Sequence, residues 1–379
     1  MNIIKKILKM TTFLILGIIA LLVIGTSLFV WLSPEFGGSM NTEHKQVYSQ
    51  SPQWQEDKFV NAIPTNMDIG LKDMPGLIIK QFKSDPARQP KKDIPVIKID
   101  SLDIAHRSDT ITQLTWFGHS AFLLEIKGKK ILIDPMFGPT PAPHPTLGKK
   151  RYNSEMPIKI EKLPKIDAIL LSHDHYDHLD YGSIMKLKSK TREYFVPLGV
   201  GRHLESWGIE KEKIHELDWW EFAEFEELQL TCSPARHFSG RGITDRATTL
   251  WCSWAIKSDD KNLFFSGDSG YGPHFKEIGE KLGPFDFAML ECGQYNEQWS
   301  AIHMIPEESA QAGRDVQADM VMPIHWGSFT LAFHSWTDPV ERFTKAAAEH
   351  NMKFTTPRIG EAIVMGKPAS TNNWWEELQ

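Results

Sequence analysis

The sequence predicts a layered α/β domain carried behind an N-terminal membrane-spanning helix. Three observations predict it. From Leu114 onward, short apolar runs alternate with helix-compatible stretches, the pattern of strands and helices stacked in layers. Four of those runs end on a metal-ligand residue: IDAILL leads to His173-x-His175-x-Asp177-His178, LQLTCSPA to His237, KNLFFSG to Asp268 and MVMPI to His325. A charge-free run from Thr11 to Leu32 follows Lys5, Lys6 and Lys9.

Taken in chain order, Thr11 to Leu32 spans about 33 Å as a helix, enough for a hydrocarbon core of about 30 Å. The rival reading is a cleaved signal peptide, whose apolar region runs to about 7–15 residues. This run is longer, and Gly25-Thr26-Ser27 is only a weak cleavage site. Lysines on the first flank place the N-terminus inside and the bulk of the chain outside the cytoplasm. Residues 1–33 are thus an anchor. Pro34, Gly37 and Gly38 mark a break after it. Residues 34–110, with Pro86, Pro90 and Pro95, read as an extension that wraps or links to the core. Residues 111–366 are the expected catalytic domain, and 367–379 a C-terminal tail.

Within the domain, LTWFGHSAFLLEI and KILIDP read as two strands joined by a tight turn at Lys127-Gly128-Lys129. IDAILL, YFVPLG, LQLTCSPA, SWAI, NLFFSG, FAML and VMPI are further strands. Pro306 followed by Glu307 and Glu308 opens a helix toward Ala318, with proline in the first turn and acids at the positive dipole end. Asp338-Pro339 begins another that ends near His350-Asn351.

At 379 residues the chain can bury a sizeable core, and 24% charged with 41% hydrophobic residues is ordinary for a globular protein. A net charge of -6 gives no electrostatic footprint for nucleic acid. Cys232, Cys252 and Cys292 are too few and too scattered for a disulfide framework or a cysteine zinc site. Thirteen tryptophans are many. They fit core packing, and they also suit a surface near lipid.

The ligand set is the sharpest signal. Residues two apart on a helix do not face one spot, so His173, His175, Asp177 and His178 need a loop at a strand end. Such a loop can place two imidazoles on one ion and the Asp-His pair on its neighbour. His237 would complete the first site and His325 the second, with Asp268 bridging. One tetrahedral zinc takes about four ligands, so this set suits two ions sharing a carboxylate. Imidazole and carboxylate suit zinc, and iron or manganese takes the same donors. Two ions about 3.5–4 Å apart activate water and polarise a phosphoryl or acyl oxygen. That accounts for hydrolysis of an ester, lactone, amide or phosphodiester without choosing among them.

These residues resemble the metallo-β-lactamase superfamily. The surrounding blocks FVNAIPT, TWFGHSAFLLE, LLSHDHYDHLDY, HELDWWE, SPARHFSGR, FFSGDSGYGPHFKEIGEKLGPFD and PIHWGSFTLA resemble its N-acyl-phosphatidylethanolamine-hydrolysing phospholipase D branch. The likeness runs roughly from residue 59 to 362. It implies a four-layer αββα sandwich with a binuclear zinc site at one edge. His173, His175, His237 and Asp268 would hold one zinc, and Asp177, His178, Asp268 and His325 the other. It also points to His303, in SAIHMIPEE, as a group that assists at the substrate phosphate or leaving group, beside Asp177 and Asp268 as candidate catalytic residues. His119 in WFGHS reads as a structural or supporting residue. Asp134 is expected to orient a ligand histidine. Tyr176, Trp326, Phe329 and Trp299 are candidates to line an acyl pocket. Arg236, Arg241 and Arg246 depart from the more aromatic loop of that branch, and an arginine there can hold a phosphate.

The function implied is release of N-acylethanolamine and phosphatidic acid from a phospholipid at a membrane surface, with two Zn2+. A homodimer is open. A lactonase or carboxylic-ester hydrolase on a small soluble substrate is the first alternative. A membrane-tethered binding protein without chemistry is the second, although no ligand is missing.

Overall fold

The computed structural model describes residues 2–67, 70, 72–83 and 85–379. The first helix, α1 (Asn2–Leu32), is long and apolar enough to cross a membrane; most of it is exposed, and near its end Phe29 and Val30 are half-buried, with Phe29 edge-on to Phe36 at 5.5 Å. After it come α2 (Thr42–Tyr48), the short hairpin β1 (Trp54–Gln55) and β2 (Lys58–Phe59), α3 (Met74–Phe82) and α4 (Ser101–Ala105).

The body then runs β3 (Gln113–Trp116), β4 (Phe122–Ile126), β5 (Lys129–Ile133), β6 (Ile166–Leu170), α5 (Tyr181–Leu187), β7 (Thr191–Pro197), α6 (Gly201–Ser206) and β8 (Ile214–Leu217). A second run follows with β9 (Phe222–Phe225), β10 (Leu228–Ser233), β11 (Ser253–Lys257), β12 (Asn262–Phe265), α7 (His274–Leu282), β13 (Phe285–Glu291), α8 (Pro306–Asp315), β14 (Ala318–Ile324), α9 (Asp338–Glu349), β15 (Lys353–Phe354) and β16 (Ala362–Val364). They form two seven-stranded sheets, ordered β16-β3-β4-β5-β6-β7-β8 and β15-β14-β13-β12-β11-β10-β9. Each sheet is antiparallel in one half and parallel in the other.

Strand periodicity separates two apolar faces. In β4, β5 and β7, Phe122, Leu124, Ile131, Ile133 and Phe195 join the core between the sheets. Their neighbours Leu123, Leu132, Tyr194 and Val196 face outward, onto Ile184 and Leu187 of α5 and Leu204 of α6. On the far side α7, α8 and α9 bury Phe275, Ile278, Ala310, Val340 and Phe343 against the second sheet. The result is four layers, αββα. Parallel strands buried on both faces need apolar residues at nearly every position, and the runs LFF, AML and VMPI supply them.

The structure differs from the sequence reading in two places. LTWFGHSAFLLEI is two strands, because Gly118 and His119 both take positive φ and turn the chain between Trp116 and Phe122. The helix from Pro306 stops at Asp315, leaving Ala318 to begin β14. Within residues 34–110, Tyr48, Phe59 and Ile94 lie in the main core. In residues 367–379, Trp374 and Trp375 are buried and Trp374 stacks on Trp326 at 5.5 Å. Most of the tryptophans pack the interior, and only Trp31, on α1, is exposed.

Candidate metal centre

The parallel strands point their C-terminal ends at one rim, and the ligand residues sit just beyond those ends. Loops at strand ends in open α/β sheets are where ligands bind. Here β6 delivers His173, His175, Asp177 and His178, β10 delivers His237, β12 delivers Asp268 and β14 delivers His325.

Two groups of four converge, and Asp268, His303 and His325 form a third, smaller one. In the first, the ligating atoms of His173, His175, His237 and Asp268 all lie within 4.8 Å of one another. His175 Nδ1 is 2.9 Å from His173 Nε2 and 3.2 Å from His237 Nε2. Asp268 Oδ2 is 3.8 Å from each of His173 Nε2 and His237 Nε2. In the second, His119, Asp177, His178 and His325 converge within the same limit. Asp268 reaches this group with its other oxygen, Oδ1, 3.1 Å from His178 Nε2 and 3.0 Å from His325 Nδ1. One carboxylate therefore touches both groups, one oxygen to each.

Bound partners fix the rings. His178 Nδ1 donates to Asp134 Oδ2 at 2.6 Å, and Asp134 also accepts from Ser172 N at 2.7 Å. His237 Nδ1 donates to the Ile302 carbonyl at 2.9 Å. Each such bond holds the proton on Nδ1 and turns Nε2 into the cluster. His119 Nε2 lies 2.9 Å from Asp177 Oδ2. His119 and His325 also pair through their backbones, with His325 N donating to the His119 carbonyl at 3.1 Å, and both hold positive φ, +55° and +66°. Such left-handed conformations cost about 1–3 kcal/mol each outside glycine, so tertiary contacts hold this pair in place.

The donor set fits divalent metals. Among the described residues, His178 Nε2 and Asp268 Oδ1 are buried without a hydrogen-bond partner although they face each other. Burial pushes His119 and His175 down to about 4, and His173, His237 and His325 well below the ordinary histidine range. Those imidazoles are neutral at pH 7 and ready to ligate. Burial opposes charge on His178 too, but Asp268, Asp177 and Asp134 hold it well above that range. Burial pushes Asp268 up to about 7, a position that a cation at the cluster reverses.

Beyond the cluster opens a cavity of about 230 Å³. His175, Asp177, Asp268, His303 and His325 form its floor, and Met67, Phe238, Trp299, Ile302 and Leu331 give it apolar walls.

The other candidates fall in different places. Trp299 lines the cavity. Phe329 packs edge-on against His119 at 5.4 Å. Trp326 is buried against Trp116 and Trp374, so it packs the core rather than the pocket. Tyr176 turns away from the cavity, its hydroxyl donating to the Arg241 carbonyl at 2.6 Å and its ring meeting Phe36. Arg241 is buried and donates to the carbonyls of Glu35, Asp174 and Leu179, which occupies it as a clasp instead of a phosphate receptor. Arg236 is held likewise by Thr65, Tyr271 and Pro64. Arg246 alone of the three stays exposed, its guanidinium 3.7 Å from the ring centre of Phe238, which lines the cavity.

Three supporting residues escaped the sequence reading. Asn61 brackets His237, donating to its carbonyl at 2.7 Å and accepting from its N–H at 3.0 Å. Asp174, between two ligand histidines, is fully buried and accepts from Gly240 N and Thr249 Oγ1. Glu291 ends β13 with a buried carboxylate bonded to His303. A signal for Glu291 was present, because an acid directly after FAML repeats the strand-end position of the ligands.

Two histidine-rich groups sharing one aspartate, at one rim of an αββα sandwich, define a metallo-hydrolase fold. The Beta-lactamase superfamily domain model matches residues 129–326, and the chain belongs to the metallo-β-lactamase superfamily. It is 39% identical over 336 residues to an uncharacterized protein of Mycobacterium tuberculosis, covering 87% of this chain and 89% of that one. It is 32% identical over 278 residues to N-acyl-phosphatidylethanolamine-hydrolyzing phospholipase D 1 of Caenorhabditis elegans, covering 69% of this chain and 77% of that one. Among solved structures, a metallo hydrolase of Ignicoccus hospitalis aligns with TM-score 0.51 and 23% identity over 68% of this chain and 100% of its own.

Proposed function

We propose that the chain is a two-metal phosphodiesterase of phospholipase D type, acting on N-acyl-phosphatidylethanolamine or a close relative at a membrane surface. The observation that carries this reading is the shared carboxylate of Asp268 at the floor of an apolar-walled cavity. His173, His175 and His237 would hold one ion, Asp177, His178 and His325 the other, and Asp268 both. Zinc suits these donors, and iron or manganese would too. When bound, such a pair supplies a nucleophile from water at neutral pH and Lewis-acid polarisation of a phosphoryl oxygen.

The chain's own residues do the rest. Met67, Phe238, Trp299, Ile302 and Leu331 exclude water and accept hydrocarbon. His303, on the same floor, meets the leaving-group side of the phosphate, and Arg246 offers an exposed guanidinium for the anionic head. The apolar α1 would hold this mouth near a bilayer, raising local substrate concentration. The named activity of the Caenorhabditis elegans relative supports the same choice.

The test is product analysis. The full chain in detergent is incubated with a mixed phospholipid extract and the products are read by mass spectrometry. N-acylethanolamine together with phosphatidic acid is the expected pair. Free fatty acid with lysophospholipid, or turnover restricted to lactones, would replace this reading with a carboxylic-ester one.

A further inference from the structure

We infer that Glu291 is a positioning residue that holds His303 in its working orientation and ties it to the Asp268 loop. The inference rests on the phosphodiesterase reading for the role of His303, and on geometry alone for the role of Glu291.

Glu291 is the last residue of β13 and is fully buried. Its neighbours Leu290 and Cys292 are apolar core residues, so a carboxyl here is costly to bury unless its oxygens are met. Both are. Oε1 accepts the His303 Nδ1 proton, and Oε2 accepts the backbone N–H of Ser269, the residue after Asp268. The Glu291 N–H in turn donates to Ser266 Oγ at 2.9 Å. Parallel pairing sets this up: Phe265 of β12 lies beside Met289 of β13, so the carboxylate at the end of one strand reaches the loop leaving the other. No lysine or arginine shares it among the described residues; its partners are two pieces of the site.

The consequence for His303 is specific. With Nδ1–H committed to Glu291, Nε2 is the nitrogen left for substrate. Among the described residues no hydrogen bond engages Nε2, and it is not among the buried unpartnered atoms. His303 also lines the cavity, so Nε2 opens onto it. The ring packs between His237 at 5.0 Å and His325 at 5.4 Å, one from each ligand group. A ring so placed without Glu291 can flip and present the wrong nitrogen. Glu291 thus does for His303 what Asp134 does for His178.

A double-mutant cycle in the metal-loaded full-length protein tests this, using N-acyl-phosphatidylethanolamine and bis(p-nitrophenyl) phosphate. Glu291→Ala should lower kcat by about 10–100-fold, the usual cost of losing an orienting partner, with KM and metal content unchanged. Glu291→Gln keeps one acceptor oxygen and should fall between. In a His303→Ala background, Glu291→Ala should have no further effect on kcat. An equal loss in both backgrounds, or metal content falling in step with kcat, would overturn the inference. If the alanine variant does not fold, the glutamine variant carries the same cycle. Should neither ester be turned over, the phosphodiesterase reading falls, and ring-nitrogen NMR still decides the positioning. A protonated His303 Nδ1 signal, absent from His303→Ala, is expected in the parent and lost in Glu291→Ala. An unchanged signal would refute the role of Glu291.

Discussion

The first helix and the ligand loop stand at opposite extremes of this molecule. Helix α1 presents almost every side chain outward, Leu21 at 71% and Trp31 at 80% exposed. The loop from Ser172 to His178 has its key side chains buried, and its geometry depends on Asp134, His119, Arg241, Gly240 and Thr249, all distant in sequence. What a segment does by composition can be read locally. What it does by convergence needs the whole chain.

A short strap joins the two. Trp207 Nε1 donates to the Pro34 carbonyl and Arg241 Nε to the Glu35 carbonyl, each at 2.7 Å. Gly38 N donates to His203 Nδ1 at 3.0 Å. Gly37 has φ +76°, and a Cβ on Gly38 would stand 2.3 Å from the Arg202 carbonyl, so both positions require glycine. The chain leaving α1 is therefore seated beside the metal loop.

The contrast is best broken at its buried end. Asp268→Ala removes the one group common to both clusters, and kcat should fall by about 10⁴-fold or more, the scale seen when members of one catalytic unit are removed. Loss of a single terminal ligand such as His237 should cost less. Steady-state kinetics on the two variants at matched metal concentration compares them directly, and a milder Asp268→Ala would undo the bridging role.

Next in size is Asp134→Ala, which frees the His178 ring and should cost about 10–100-fold in metal affinity or activity. Competition with a chromophoric chelator measures it. Acidity should act on the same cluster. Asp268 sits at about 7 in the metal-free chain, so below pH 7 it must lose a proton before it can bridge. Apparent metal affinity should then drop about tenfold per pH unit for that one proton. Calorimetry in buffers of different ionisation heat would show more protons released at pH 6 than at pH 8, where Asp268 is already ionised and His178, held well above the ordinary histidine range, still gives one up.

The smallest effect on chemistry should come from the exposed end. Removing residues 1–32 keeps the strap and every ligand, so metal content and turnover of detergent-dispersed lipid should hardly change, while turnover of intact vesicles should fall. A collapse of metal content in this variant would show that α1 serves the fold.

These extremes also explain what the sequence revealed. The strand-end ligands were legible because each follows an apolar run, and apolar runs of that length become strands. Their grouping was legible only as a count of ligands against the needs of two ions. Asn61 was not, since a polar residue's partner lies across the fold: it meets His237 from 176 positions away. Arg241 misled for the same reason. Its charge suggested a phosphate, whereas tertiary packing gives it three carbonyls.

The central claim is that two ions sit on seven side chains through one shared aspartate. Elemental analysis of the purified full-length chain after zinc supplementation tests it most directly. The account predicts two equivalents in the parent and a loss of both in Asp268→Ala. One equivalent or none in the parent, or a parent-like two in Asp268→Ala, would contradict it.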